Sequence, residues 1–304
     1  MSATRELRMV ERVEPESYYG RPVIKPPVWK PQVPWYFFTG GLTGAASTFA
    51  LAAELAGHQR LARRTWSVAM LAGTANPALL ITDLGRPERF LNMLRVFKVT
   101  SPMSIGSWVV AASGATNGIA TAARVLGVMP RIGAAARVGA GATGLPMATY
   151  TAVLIANTAV PAWHEARHEL PFLFAASAAA SAGAAASIAT PRADARPARR
   201  LAVLGALGAQ AAAVAMERRL GPLAVAYRDG EARRYRTLAR GLMLGGAALV
   251  GLAGGRSRTA AGAGGLAVLG GAAAERWSVF KAGVQSARDP HQTVALQRTR
   301  MVTR

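Results

Sequence analysis

Long stretches of the chain carry no charged side chain, among them Trp35–Ala53, Thr65–Thr82, Val138–Ala162 and Leu170–Pro191, each of 18 residues or more. A helix needs about 20 apolar residues to cross a hydrocarbon core. Inside lipid every backbone N–H and C=O must be paired within the segment, so runs of this length read as helices. The fold class expected is all-α, a polytopic membrane helical bundle. The 36 Lys and Arg outnumber the 15 Asp and Glu, for a net charge of +21. The arginines, however, stand at the ends of the apolar runs, where headgroups and the positive-inside bias put them. The excess is therefore read as membrane topology, with no nucleic acid as partner.

Eight apolar segments can be drawn, which predicts about eight transmembrane helices over residues 35–274. They are Trp35–Ala56, Thr65–Thr82, Ser107–Ala123, Val138–Pro161, Leu170–Thr190, Leu201–Met216, Gly241–Gly254 and Thr259–Ala274. The last three are short, a shortfall that snorkelling arginines and local thinning absorb. Residues 1–34 are polar and rich in proline (Pro15, Pro22, Pro26, Pro27, Pro31, Pro34) and read as an extended arm; residues 275–304 read as a tail. The pairs Gly40/Gly44, Gly114/Gly118, Gly241/Gly245 and Gly251/Gly255 repeat a small-xxx-small spacing, which implies close helix packing and no site.

The chain has no cysteine, which excludes disulfides, thiolate-bound iron–sulfur clusters and a cysteine nucleophile. His58, His164, His168 and His291 all lie outside the apolar runs, so no haem is expected within the membrane. His164/His168 and Glu165/Glu169 are spaced i, i+4, but a metal is not expected from so charged and exposed a turn. His164 suits proton relay better, because imidazole titrates near neutrality. Glu217 and Glu275, beside Arg218, Arg219 and Arg276, read as solvated boundary pairs, and Trp35, Trp66, Trp108, Trp163 and Trp277 as an aromatic belt.

Alternate sides of the eight segments carry 24 and 12 of the 36 Lys and Arg, the larger share with the N-terminus. That places both termini in the cytoplasm of a multi-pass cell-membrane protein. The same side holds 13 of the 15 acids, and such long segments of mixed charge suit docking of a soluble subunit.

Chemistry concentrates in Asp83–Ser107, DLGRPERFLNMLRVFKVTSPMSIGS. Gly85 and Pro87 make a tight exit from the membrane. Phe90, Leu91, Leu94 and Phe97 at helical spacing, with Arg86, Arg89, Arg95 and Lys98 among them, predict an amphipathic interfacial helix. Asp83 is an acid at a helix end beside Arg86, at a boundary where uncompensated charge is costly. On segment four, Thr143, Pro146, Tyr150 and Asn157 share one helix face, and Pro146 frees a carbonyl. Thr39, Thr43, Ser47 and Glu54 make a similar stripe on segment one. Such stripes suit an amphipathic headgroup, and equally suit interhelical hydrogen bonds.

Asp83–Trp108 resembles the signature loop of the NrfD/PsrC family, the membrane-anchor subunits of polysulfide-reductase-type molybdoenzyme complexes. A second resemblance lies at Tyr150–Gly183, YTAVLIANTAVPAWHEARHELPFLFAASAAASAG, and a third at Trp35–Ala45, WYFFTGGLTGA. The resemblance covers roughly Pro34–Ser187. It implies an eight-helix bundle that binds a quinone or quinol and exchanges electrons with a docked iron–sulfur subunit, and through it with a molybdopterin catalytic subunit. It implies partners on the periplasmic face, against the Lys/Arg count. Tyr150 corresponds to the family's quinone-site tyrosine, while the family's first-helix asparagine and histidine have no obvious counterpart. Segment one offers Thr39, Thr43, Ser47 and Glu54 instead, of which Thr43 and Ser47 are assigned to the headgroup. Arg86 is assigned with them to the headgroup, and Asp83 and His164 to proton handling. Two other readings stay open: a small-solute or proton permease, and a structural anchor without a working quinone site.

Overall fold

A computed structural model describes residues 22–83 and 87–294 of the chain. Among the described residues it is all-helical, with no strand. The helices are α1 (Gln32–Leu55), α2 (Gln59–Asp83), α3 (Pro102–Leu126), α4 (Pro130–Ala156), α5 (Pro161–Glu165), α6 (Leu170–Ala189), α7 (Arg196–Leu220), α8 (Val225–Arg228), α9 (Gly230–Leu252) and α10 (Arg258–Arg288). Three stretches are long and apolar enough to cross a membrane: Pro130–Ala156, Leu170–Ala189 and Arg196–Arg228.

Punctuation residues cut the apolar sequence into these rods. Proline opens α3, α4, α5, α6 and α7 within the first two positions, where its missing N–H costs no hydrogen bond. Ser101 caps α3 by accepting from the Ser104 N–H at 3.3 Å, and Gly127 ends it at φ 69°, a left-handed turn suited to glycine. Short connections then make antiparallel pairs, α1 with α2, α3 with α4, α6 with α7 and α9 with α10. Helices α1 and α6 join the two halves: α1 packs on α4, α6 and α10, and α6 on α4 and α10.

Small residues set how closely the rods approach. A Cβ on Gly44 would stand 2.8 Å from the Ala148 backbone nitrogen and collide with the Gly144 carbonyl, and one on Gly246 would meet the Gly264 carbonyl at 2.6 Å. Of the four glycine pairs read from spacing, Gly114/Gly118 and Gly241/Gly245 face open space instead. Spacing of four gives a common face and leaves its direction open.

Two further expectations meet a different structure. The interfacial segment is a 3-10 helix over Pro87–Leu94 only. Residues 96–98 are instead pinned to α3, where Ser104 Oγ donates to the Val96 carbonyl at 2.9 Å and accepts from the Lys98 N–H at 3.0 Å. The chain after Glu275 stays helical to Arg288 and packs into the fold. Its Ser286 Oγ accepts from the Ala162 N–H at 3.1 Å.

Candidate functional site

The first four helices bring their Tyr36, Asp83, Gly106 and Tyr150 positions to one end of the bundle. Tyr36 lies one turn into α1, Gly106 one turn into α3, Tyr150 nearly two turns before the end of α4, and Asp83 closes α2. The Tyr36 and Tyr150 rings meet edge to face, with centroids 6.4 Å apart. Tyr150 fits against the bare face of Gly106: a Cβ there would lie 2.5 Å from its Cε2.

Hydroxyl chemistry singles out Tyr36. Its side chain is 3% exposed, and its hydroxyl is buried with no hydrogen-bond partner among the described residues. A buried O–H left unmade forfeits a partner it would have in water. Tyr150 is half-buried beside Tyr36. The Tyr36 hydroxyl therefore offers a hydrogen bond that no described residue takes up, with the Tyr150 phenol on the neighbouring helix next to it. That donor set fits a carbonyl-bearing headgroup such as a quinone.

The stripe below Tyr36 is already engaged. Thr39 Oγ1 donates to Asn76 Oδ1 at 2.7 Å, Asn76 Nδ2 to Thr43 Oγ1 at 3.3 Å, and Ser47 Oγ to Asn117 Oδ1 at 3.0 Å. Thr43 and Ser47 thus belong to a seam joining α1 to α2 and α3. Glu54 completes neither stripe nor site. It accepts from Arg137 Nε at 2.9 Å and from Trp66 Nε1 at 3.1 Å at the opposite end of the bundle. Trp66 is accordingly turned inward and is no belt residue.

Asp83 accepts from the Lys30 backbone N–H at 3.2 Å, which fastens the end of the arm to the end of α2. Arg86 lies outside the described residues. His164 Nδ1 stands 3.1 Å from the Ala156 carbonyl, the last residue of α4. With that carbonyl accepting, Nδ1 carries the proton. Asp83 and His164 share an end of the bundle with Tyr150, without direct contact to it. His168 is exposed, and no metal-ligand cluster occurs among the described residues.

Sequence reasoning missed the depth at which Glu217, Trp163, Glu275 and Arg276 sit. Glu217 is buried and paired with Arg228, at 3.3 Å, and with Arg236. Trp163 is 0% exposed, stacked on Trp29 at 5.5 Å, with its indole N–H donating to the Val279 carbonyl at 2.7 Å. These residues look like boundary groups only while α10 is taken to stop at the membrane surface. Its extension to Arg288 encloses them.

The described residues define an all-helical protein with apolar helices long enough to cross a membrane and two phenol groups side by side at one end. More narrowly, residues 23–228 match the family model described as "Polysulphide reductase, NrfD", and the chain belongs to that NrfD family. No curated protein matches it. The matched range contains Tyr36, Asp83, Tyr150 and His164 and ends before α9 and α10.

Proposed function

We propose that this chain is the quinone-reactive membrane anchor of a respiratory oxidoreductase complex. In this reading its eight long helices all cross the cell membrane, and a quinone or quinol headgroup binds between Tyr36 and Tyr150. A bound quinone supplies the two-electron, two-proton couple that links the membrane pool to a docked iron–sulfur subunit and a molybdopterin catalytic subunit beyond it. The observation that carries the reading is the buried, unsatisfied Tyr36 hydroxyl against the Tyr150 ring, inside the family-matched part of the chain.

Each residue then has a task at a stated atom. The Tyr36 and Tyr150 O–H groups donate to the headgroup oxygens. Thr43 and Ser47 have protein partners for their hydroxyls, so they hold α1 in register beneath the headgroup. The Asp83 carboxylate fixes the Lys30 backbone and, with His164 at the same end of the bundle, serves proton handling, while Arg86 keeps the headgroup role that the resemblance implies. The docking surface comprises the end of the arm, residues 95–101, the 157–169 turn, the 221–229 connection and the far end of α10, with both termini in the cytoplasm.

The test is quinone-dependent turnover of the purified complex. Tyr150→Phe and Tyr36→Phe should each leave the complex assembled and lower turnover roughly five- to hundred-fold, the effect of one lost buried hydrogen bond. Unchanged turnover of both across a full quinone titration rejects the site. A permease reading would instead require solute flux by the chain without its redox partners.

A further inference from the structure

The second half of the bundle holds ionisable groups that this reading leaves unused. Glu275 and Arg276 stand on α10 at 6% and 1% exposure. Arg276 has contacts apart from its neighbour, although its Nε and Nη1 have no hydrogen-bond partner among the described residues. Its Nη2 donates to the Phe174 carbonyl at 2.8 Å, its guanidinium lies 3.6 Å from the centre of the Phe174 ring, and Gly41 of α1 leaves it room.

Glu275 has no such anchorage. Its Oε1 is 3.8 Å from Arg276 Nη1, and neither carboxyl oxygen has a hydrogen-bond partner among the described residues. A buried carboxylate in that condition is costly unless it is hydrated or neutral. The means of hydration adjoins it. A cavity of about 40 Å³ between α7, α9 and α10 is lined by Glu275, Glu217, Gln210, Tyr227, Arg236 and Ser278. Its remaining wall is largely apolar, with Leu173, Val214, Met216 and Val279, so those polar side chains supply the contacts for the roughly two or three water molecules that the volume admits. Glu217, which lines the cavity, meets the half-exposed Arg228, and the exposed Arg240 lines it as well, so these residues connect it to the surface.

We propose that Glu275 is a protonatable site inside the bundle, reached from the Glu217 edge through water held in the cavity between α7, α9 and α10. The groups that face it are Arg276 on its own helix, Glu217 on α7, Tyr227 on α8, Arg236 and Arg240 on α9, and the Ser177 hydroxyl on α6. In the step itself, a cavity water cluster carrying an excess proton gives it to a Glu275 oxygen. One O–H bond breaks in the cluster and one forms on the carboxyl, and the cluster is recharged from the Glu217 side. No electron moves, and Arg276 keeps its contacts with the Phe174 carbonyl and ring. The site lies on α10, beyond the family-matched range, and does not depend on the quinone reading.

Infrared difference spectroscopy on the full chain in phospholipid nanodiscs tests this. A pH titration of wild type minus Glu275→Gln should reveal a carboxylic-acid C=O band that grows as pH falls and shifts in D₂O. A Glu275 that shows no such band at any pH at which the chain stays folded is a fixed ion pair, and the proposal fails. Glu217→Gln should slow the D₂O shift several-fold; an unchanged rate refutes the route. Should Glu275→Gln not accumulate, labelling of wild type with dicyclohexylcarbodiimide, which attacks protonated carboxyls in apolar surroundings, reports the same state. Peptide mass spectrometry should locate the adduct on Glu275, increasing as pH falls, and an unmodified Glu275 at every pH overturns the proposal.

Discussion

The Trp163 ring occupies the space where a side chain of Gly283 would begin. A Cβ on Gly283 would collide with the indole, which is fixed there by its hydrogen bond to the Val279 carbonyl and by stacking on Trp29. One notch therefore joins α10, the turn before α6 and the end of the arm. Gly283→Ala should destabilise the protein by about 2–4 kcal/mol, the sum of overpacking and a strained indole hydrogen bond. A thermal melt in detergent checks this, and a melting temperature within error of wild type would show that the ring can be displaced at no cost.

Gly106 and Tyr150 form a second such fit, with a different expected readout. Gly106→Ala should push the Tyr150 ring away from Tyr36 and reduce quinone-dependent turnover by an amount comparable to Tyr150→Phe. The double variant should show much less than the sum of the two effects, since both act on one ring. Additive losses would mean that Gly106 matters for helix packing alone.

Tyr36→Phe separates ligand binding from stability. Removing a buried hydroxyl that has no protein partner should leave the melting temperature of the isolated chain unchanged or raise it, while turnover falls. A lower melting temperature would reveal a protein partner for that hydroxyl.

Glu54 should be structural. It ties Arg137 of α4 and Trp66 of α2 to the end of α1, at 2.9 and 3.1 Å. Glu54→Gln should cost about 1–3 kcal/mol, as charge-assisted hydrogen bonds in a partly exposed setting do, with turnover per assembled complex unchanged. Loss of turnover at normal assembly would place Glu54 in the chemistry.

Membrane orientation is decided by a reporter fused after Arg304. A reporter active in the cytoplasm is expected from the Lys/Arg distribution. Activity only outside would reverse the orientation and bring it into line with the family resemblance.

Much of the architecture is legible in the sequence because lipid-type helices announce themselves by uncharged length. Each of the eight apolar segments lies within or across one long helix, and the Ser101-Pro102 turn opens α3. What hydropathy does not carry is direction. The stripe Thr39, Thr43, Ser47 reads the same whether it meets a ligand or Asn76 and Asn117. Nor does it show where a helix continues past the apolar run: Glu275-Arg276 after a Gly/Ala-rich stretch looks like an exit from the membrane, yet 12 further helical residues follow Arg276. Tyr36 escaped notice because an aromatic at the start of a span is usually a surface group, and only packing reveals that its hydroxyl is enclosed.

That overrun of α10 has a mechanical meaning. Glu275 and Gly283 lie on one unbroken helix, separated by about 12 Å along its axis. About two turns of one helix thus carry both the notch that seats Trp163 and the carboxyl beside the cavity, so a change in the pitch of α10 would reach both at once.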